Sequence, residues 1–172
     1  GVKGDSIAQT PIIAIKAFDE NGFTSNFLLM ESMEFALKHG ARVLSLSWGS
    51  ETKSEFLSEA LELADSKGLI IVGSAGNEPT GEPHYPAAYP AVIGVGALAP
   101  DGKAWEKSNR GDFVDLYAPG FASLPVGYKG EPGIYAGTSI STAFTANLIA
   151  SILSKNPKAT KEEILDGLRR KP

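Results

Sequence analysis

Residues 69–77 read Leu69-Ile70-Ile71-Val72-Gly73-Ser74-Ala75-Gly76-Asn77. The first five form an apolar run that predicts a buried strand, and the Gly-Asn pair that closes the stretch predicts a turn. Comparable runs at residues 42–47 and 92–97 predict strands on either side of it in the sequence. A further strand is predicted at residues 11–17, and another at residues 113–117. We therefore expect a sheet of several short strands.

Amphipathic helices are predicted between and after these strands. The first has a cap at Thr24 or Ser25, a stop at Gly40, and the inward apolar positions Phe27, Met30, Met33, Ala36 and Leu37. The second stops at Gly68 and has the inward positions Phe56, Leu57, Ala60, Leu61 and Ala64. A third helix is predicted from residue 138 to about residue 155, and a capping box at residues 160–163 starts a short last one. This alternation predicts an α/β fold with three α/β/α layers and a mainly parallel sheet, in one domain over residues 1–172.

The composition is that of an ordinary globular domain. The chain has 172 residues, a net charge of −4 and no cysteine, so it can bury a core but offers no disulfide, no thiolate and no basic surface for nucleic acid. No apolar run is long enough to span a membrane, and the first residues lack a signal segment. Because the chain starts at Gly1 rather than Met, we expect a processed or partial chain.

The start of the third helix carries the main chemical signal. Gly137-Thr138-Ser139 precedes an apolar run, so Ser139 is expected at the positive end of a helix dipole, where backbone N–H groups lack a helical acceptor. A serine there can act as a nucleophile when a base is adjacent and two donors hold the oxyanion. Taken alone, so short a motif more often marks a simple helix cap.

Seven segments of the sequence point together to one family by their order and spacing. They are residues 1–4 with 11–16, residues 43–49, residues 74–77, residues 85–93, Ser108-Asn109-Arg110-Gly111, residues 115–120 and Gly137-Thr138-Ser139. They resemble the segments "GVAP", "INMSLGG", "AAGN", "YPAxYPxVI", "FSSxG", "DVxAPG" and "GTS" of the subtilisin-like serine proteases (subtilases, peptidase S8). The resemblance covers nearly the whole chain and favours a nucleophile over a helix cap.

The resemblance implies roles for particular residues. Ser139 would attack a peptide carbonyl, and Asn77 would hold the oxyanion together with the Ser139 N–H. The substrate backbone would bind along the strand edge of Ser47, Trp48 and Gly49. Trp48 is bulkier than the usual Leu and would either narrow the pocket or pack against the loop. The other implied substrate-binding residues are Ser74, Ala75, Gly76, Glu78, His84 and Thr138.

A structural cation is the other implication of the resemblance. The family often binds an ion through backbone oxygens, here those of Ala87, Tyr89 and Val92, and such oxygens suit Ca²⁺ or Na⁺. No carboxylate cluster is evident nearby in the sequence. No cofactor is implied as a requirement.

Glu78 and His84 would line the pocket for the substrate's first residue and favour a basic or polar side chain.

The chain departs from the family in three places. Ile140, Ser141 and Ala143 replace the Met, Ala and Pro that usually follow the serine, and the helix does not need that Pro. The aspartate motif "D-T/S-G" does not occur, and neither does the histidine motif "HGTH". Of the two histidines, His39 is expected to cap a helix end, and His84 is expected in the pocket rather than as the general base.

We interpret the sequence as a subtilisin-like serine endopeptidase domain that lacks its N-terminal strands and is inactive by itself. Its aspartate and histidine would come from sequence absent here, so the missing N-terminal part of the domain is an expected partner beside a peptide or protein substrate. The alternatives are a non-catalytic peptide-binding or scaffold domain and a proteolytic remnant. Neither nucleic acid nor a membrane is expected as a partner. The family implies a location outside a bacterial cell or in its envelope.

The resemblance also makes a topological prediction. In the family, the strand with the aspartate lies in the sheet between the strands that match residues 12–16 and 43–47 here. Without it, two strand edges have unpaired backbone groups. The chain is then expected to close the gap, to pair with another chain, or to stay open near residues 11–17.

Overall fold

The computed structural model describes residues 10–125 and 131–169. Its elements in chain order are α1 Asn26–Lys38, β1 Val43–Leu46, α2 Glu55–Ser66, β2 Ile70–Ser74, β3 Val92–Leu98, β4 Leu116–Pro119, β5 Phe121–Leu124, β6 Gly133–Ala136, α3 Thr138–Lys155 and α4 Lys161–Arg169. The segment at residues 1–4 that contributes to the family resemblance lies outside the described residues. Among those described, no helix is both long and apolar enough to cross a membrane.

The main sheet consists of four parallel strands in the order β1-β2-β3-β4. Parallel neighbours need a crossover between them, and α2 supplies it between β1 and β2. β5 and β6 form a separate antiparallel pair that leads directly into α3. The predicted mainly parallel sheet is therefore confirmed, and β1 lies at its edge among the described strands.

Helices cover both faces of this sheet. In β2, Ile71 packs with the buried side chains of α1 and α2, whereas Ile70 and Val72 pack with those of α3 and α4. This division follows from the strand geometry, because successive side chains point to opposite faces. The three α/β/α layers that the sequence predicts are confirmed.

The predicted helix ends agree with the structure. Ser25 caps α1 by accepting a hydrogen bond from the Leu28 N–H at 3.1 Å. The capping box before α4 is reciprocal: Thr160 N donates to Glu163 Oε2 at 3.0 Å, and Glu163 N donates to Thr160 Oγ1 at 3.2 Å. His39 lies at the C-terminal cap of α1, where its imidazole stacks on Phe35.

The strand predicted at residues 11–17 is wrong. These residues form no strand, and Ile12 and Ile13 are 58% and 40% exposed. The segment is attached mainly at its ends: Thr10 donates to Asn147 Oδ1 of α3, and Phe18 packs edge-to-face on Trp48. An apolar run needs a neighbouring strand to become one, and no strand among the described residues pairs with it. The expected closure of the sheet, with this segment paired to β1, is not seen.

Smaller errors concern helix phase and strand start. Phe27 is 66% exposed and Phe56 is 49% exposed, although both were predicted to point inward. The buried positions of α1 are Leu29, Met33 and Ala36, spaced at one helical face, which Phe27 does not share. The strand predicted at 113–117 begins only at Leu116, because Val114 closes a turn with its N–H bound to Gly111 O.

Candidate active site

The site is built at the N-terminus of α3. Gly137 is the N-cap residue and makes no side-chain cap, while Thr138 is buried and Ser139 is half-buried. Ser139 lies in the first turn, so its N–H has no acceptor within the helix. Neither hydroxyl acts as the helix cap: that of Thr138 contacts Asn77, and that of Ser139 contacts Ser47. The simple capping interpretation of this motif therefore does not apply.

Asn77 is fixed in orientation by Thr138. Its Oδ1 accepts hydrogen bonds from both the backbone N and the Oγ1 of Thr138, each at 2.9 Å. A backbone N–H can only donate, so the oxygen of the amide must face it and Nδ2 must point the other way. The Thr138 hydroxyl in turn accepts from Gly76 N at 3.2 Å. The turn after β2 is thus tied to the start of α3.

Two hydrogen-bond donors border the same small space beside Gly137. A Cβ atom placed on Gly137 would lie 3.5 Å from Asn77 Nδ2, 3.7 Å from Asn77 Oδ1 and 3.8 Å from Ser139 N, and Oδ1 is already bound to Thr138. The space remains open because residue 137 has no side chain. Two N–H donors that face one point are what an oxyanion requires. Sequence reasoning predicted Asn77 and Ser139 but missed Gly137, although it directly precedes Thr138 in the motif.

The hydroxyl of Ser139 makes no contact with a base among the described residues. It donates to the carbonyl oxygen of Ser47 at 3.3 Å, and the Ser47 hydroxyl donates back to Ser139 O at 3.3 Å. His39 uses its Nδ1 at Phe35 O, 2.8 Å away, at the end of α1. His84 makes no hydrogen bond to Ser139 among the described residues. Within the described part of the chain, the arrangement brings together a serine hydroxyl and two N–H donors, with no base hydrogen-bonded to that hydroxyl.

The imidazole of His84 is packed between two of the predicted substrate segments. A Cβ on Gly49 would clash with its ring, and a Cβ on Gly76 would lie 3.2 Å from its Cγ. Ser50 and Tyr85 hold this loop in place through two backbone hydrogen bonds of 2.8 Å. Both glycines are therefore needed for His84 to fit where it does.

The remaining predicted site residues fall at the same end of the sheet. Ser74 and Ala75 are buried at the end of β2, and Glu78 is exposed in the following loop. Trp48 is partly buried and packs on Phe18 with ring centroids 5.5 Å apart. Packing therefore accounts for the bulk of Trp48 without a role in a pocket.

The acid stability of the protein should depend on His84. Burial lowers the pKa of His84 below its ordinary value of 6.5, and the carboxylates of Glu51 and Glu78 offset part of that change. As the pH falls through about 6.5, the unfolded chain takes up a proton that the folded chain resists, so the free energy of unfolding decreases down to the folded pKa. Above about pH 7 neither state is protonated and this penalty is absent.

Replacement His84→Asn should remove this penalty. We expect the melting temperature of the variant to fall less between pH 7.5 and pH 5 than that of the unaltered chain, in thermal melts followed by circular dichroism. The carboxylates are common to both proteins and cancel in the comparison. Equal losses in the two proteins would show that the proton affinity of His84 does not change on folding.

The residues predicted to hold a cation line a cavity of about 180 Å³. Asp112 and Asp115 line the same cavity as Ala87, Tyr89 and Val92. The sequence did not reveal these carboxylates as neighbours of the predicted site, because both lie at least 20 residues beyond Val92 in the chain. The described residues contain no cluster of three or more His, Cys, Asp or Glu side chains. Backbone oxygens with one or two carboxylates nevertheless fit a hard cation.

Comparisons with known proteins agree with this geometry. Residues 7–171 match the sequence model of the subtilase family, peptidase S8. Subtilisin E of Bacillus subtilis (strain 168) is 32% identical over 161 residues, which cover 91% of this chain and 42% of subtilisin E. Subtilisin of Bacillus pumilus is 32% identical over 164 residues, covering 93% and 60%. The minor extracellular protease Epr of B. subtilis is 28% identical over 168 residues, covering 96% and 26%.

Solved structures give the same result. The self-cleaved protease domain of PatA superposes with a TM-score of 0.71 at 26% identity, over 86% of this chain and 59% of that domain. The prenylagaramide maturation protease PagA gives a TM-score of 0.70 at 27% identity, over 86% and 56%. The chain belongs to the subtilase family of serine proteases. It spans between 26% and 60% of the length of the curated relatives named above.

Proposed function

We propose that this chain is the nucleophile-bearing part of a serine endopeptidase. The proximity of Asn77 Nδ2 and Ser139 N beside Gly137 carries the proposal, because two N–H donors that make no hydrogen bond among the described residues suit a negatively charged oxygen. Ser139 Oγ would attack the peptide carbonyl and form a tetrahedral intermediate whose oxyanion lies between these donors. Its collapse to an acyl-enzyme releases the amine, and water then frees Ser139.

The peptide would lie extended across the end of the sheet. Ser47, Trp48 and Gly49 would offer backbone groups on one side, and Ser74, Ala75 and Gly76 would line the other, with His84 packed between Gly49 and Gly76. Main-chain hydrogen bonds along such an edge accept many sequences, which suits an endopeptidase of broad specificity. Glu78 and His84 would line the place of the first substrate side chain, and we propose that they favour a basic or polar one.

The base and the residue that orients it would come from an N-terminal part of the same domain. The outer edge of β1 has no partner strand among the described residues. Apolar side chains of α3 are also left uncovered, with Phe144 and Leu148 at 49% and 38% exposed. An added strand would pair with β1 and carry the aspartate. Other residues of the added part would cover such apolar groups and bring a histidine to the Ser139 hydroxyl. We call the protein that contains both parts the completed protein.

Kinetics of the completed protein test this proposal. It should hydrolyse an unstructured protein such as casein, and Ser139→Ala should abolish the activity. Ser66→Ala, at the exposed end of α2, serves as the matched loss of a hydroxyl and should leave the activity unchanged. A completed protein that binds peptides without cleaving them would refute the proposal and favour the non-catalytic scaffold.

We further propose that the cavity beside Ala87, Tyr89 and Val92 holds a structural Ca²⁺ or Na⁺ through their carbonyl oxygens. Asp115 is already engaged, with Gly94 N at 2.9 Å on one carboxylate oxygen and Arg169 Nη2 at 2.6 Å on the other. Asp112 makes no hydrogen bond or ion pair among the described residues, so it is the free carboxylate for the ion. The ion would link the loop before β3 to the turn before β4.

Removal of that carboxylate should weaken the cation's effect. Ca²⁺ should raise the melting temperature of the chain, since each tenfold excess over Kd adds about 1.4 kcal/mol of stability. In Asp112→Asn this rise should be lost or need at least about tenfold more Ca²⁺. Asp101→Asn, in an exposed turn, is the matched control and should respond to Ca²⁺ as the unaltered chain does. An unchanged response of Asp112→Asn would refute the assignment.

The relatives favour a location outside the cell. One of them is named an extracellular protease, and the absence of cysteine is compatible with secretion. We propose that the completed protein acts outside a bacterial cell or in its envelope.

A further inference from the structure

Asn109 lies beneath the loop that follows Asn77, and only 3% of its surface is exposed. Its Nδ2 donates to Glu82 O at 2.9 Å. Its Oδ1 accepts from Gly81 N at 3.0 Å and from Arg110 N at 2.9 Å. The side chain of Asn109 thus binds two consecutive residues of the loop, Gly81 through its acceptor and Glu82 through its donor. Residues 78–83 are all exposed, and their other hydrogen bonds among the described residues, such as Glu82 N to Thr80 Oγ1 at 3.2 Å, lie within the loop itself.

The backbone of the same residue holds the start of the loop. Asn109 N donates to Gly76 O at 2.9 Å, directly before Asn77 in the chain. On its other side, Asn109 O accepts from the hydroxyl of Ser108, which itself accepts from Ala97 N at 2.9 Å. Ala97 lies in β3 and is fully buried. A continuous path of hydrogen bonds therefore joins the sheet to both ends of the loop.

The position of Asn77 depends on these attachments. Asn77 is exposed, so packing around its own side chain does not place it. Its Oδ1 is held by Thr138 at one end, and its backbone is held through Gly76 at the other. A shift of the loop would move Nδ2 away from the space beside Gly137. A misplacement of about 1 Å at a reacting centre can cost about 100-fold in rate.

We infer that Asn109 is a positioning residue, which holds the loop of residues 76–82 so that Asn77 Nδ2 faces the same point as the Ser139 N–H. This inference rests on the proposed role of Asn77 in the oxyanion site. The chemistry of an amide is required at residue 109. An Asp there would place a carboxylate oxygen against the Glu82 carbonyl, and a Ser is too short to reach both Gly81 and Glu82.

The first test uses the chain itself and needs no activity. In Asn109→Ala, the Gly81 amide should exchange with solvent at least about tenfold faster, and the side-chain amide signals of Asn77 should move in NMR spectra. Asn109→Asp keeps the acceptor for Gly81 and should affect that amide less. The control is Ile164→Val, a core change on α4, which should leave both signals unaltered. Unchanged Asn77 signals in Asn109→Ala, or equal shifts in the control, would overturn the inference.

The second test separates a positioning role from a stabilising one in the completed protein. Asn109→Ala should lower kcat by about 10- to 100-fold with little change in KM. In a protein that already carries Asn77→Ala, Asn109→Ala should lower kcat by a much smaller factor, because the side-chain donor at residue 77 that it would position is gone. Equal losses in the two backgrounds overturn the inference alone. If Asn77→Ala itself leaves kcat unchanged, the proposed oxyanion site fails instead.

Discussion

The chain by itself is expected to leave Ser139 essentially unlabelled when it is incubated with a fluorophosphonate probe. The hydroxyl of Ser139 donates to the carbonyl oxygen of Ser47, and a carbonyl cannot take up its proton as the reaction needs. Among the described residues no histidine makes a hydrogen bond to it. In subtilisin, a member of this family, loss of the triad histidine costs about a millionfold in kcat, a measured value for that enzyme.

Intact-mass spectrometry would measure the labelled fraction over time. An active subtilisin serves as the positive control, and Ser139→Ala distinguishes labelling at this residue from labelling elsewhere. Rapid labelling with a stoichiometry of one at Ser139 would contradict the expectation. His84 would then be the first residue to replace, because it is the histidine nearer to the site in this fold.

The second large effect is expected at Asn77 in the completed protein. Asn77→Ala should lower kcat about 10²- to 10³-fold with little change in KM, a magnitude that is itself the measured subtilisin case. In the proposed mechanism the amide would contribute one of two donors to the oxyanion, which would form only after attack by Ser139. Ground-state binding along the strand edge should therefore be little affected.

Asn147→Ala is the matched control for this change, since it removes an exposed amide whose contact is with Thr10. It should leave kcat close to that of the unaltered protein. If Asn77→Ala raised KM by about the same factor as it lowered kcat, Asn77 would be a turn residue that shapes the whole site. Its hydrogen bonds to Thr138 make that outcome a real alternative to exclude.

The architecture was predictable because each strand of the sheet has a strong local signal. Ile71 and Val72 belong to a continuous apolar run, and such a run is typical of a strand that is covered on both faces. The helices α1 and α2 likewise have capping serines and glycine stops that define their ends. These features depend on residues close in sequence, and so they could be recognised without the structure.

The errors arose where structure depends on distant neighbours. Residues 11–17 have the composition of a strand, but an extended segment becomes a strand only when backbone groups of another strand lie beside it. Phe27 has the hydrophobicity of a core residue, and only the docked orientation of α1 shows that Leu29 takes that place. Neither fact is encoded within a few residues.

The site was predictable in its reacting groups and not in its support. Ser139 and Asn77 belong to recognisable motifs, whereas the contacts of Asn109 with Gly81 and Glu82 span 28 and 27 residues. Asp112 and Ala87 likewise line one cavity although they lie far apart in the sequence. Residues that hold a site in place are joined through space, so sequence patterns point to them weakly.

Mapping the fluorophosphonate label in the completed protein tests most directly whether Ser139 is the nucleophile. Digestion and tandem mass spectrometry would locate the modified residue, with the isolated chain treated in parallel. We predict rapid modification with a stoichiometry of one, located on Ser139 in the completed protein and essentially absent from the isolated chain. Modification of another serine would contradict the assignment. So would the absence of any modification in a completed protein that is folded and contains the family's histidine and aspartate.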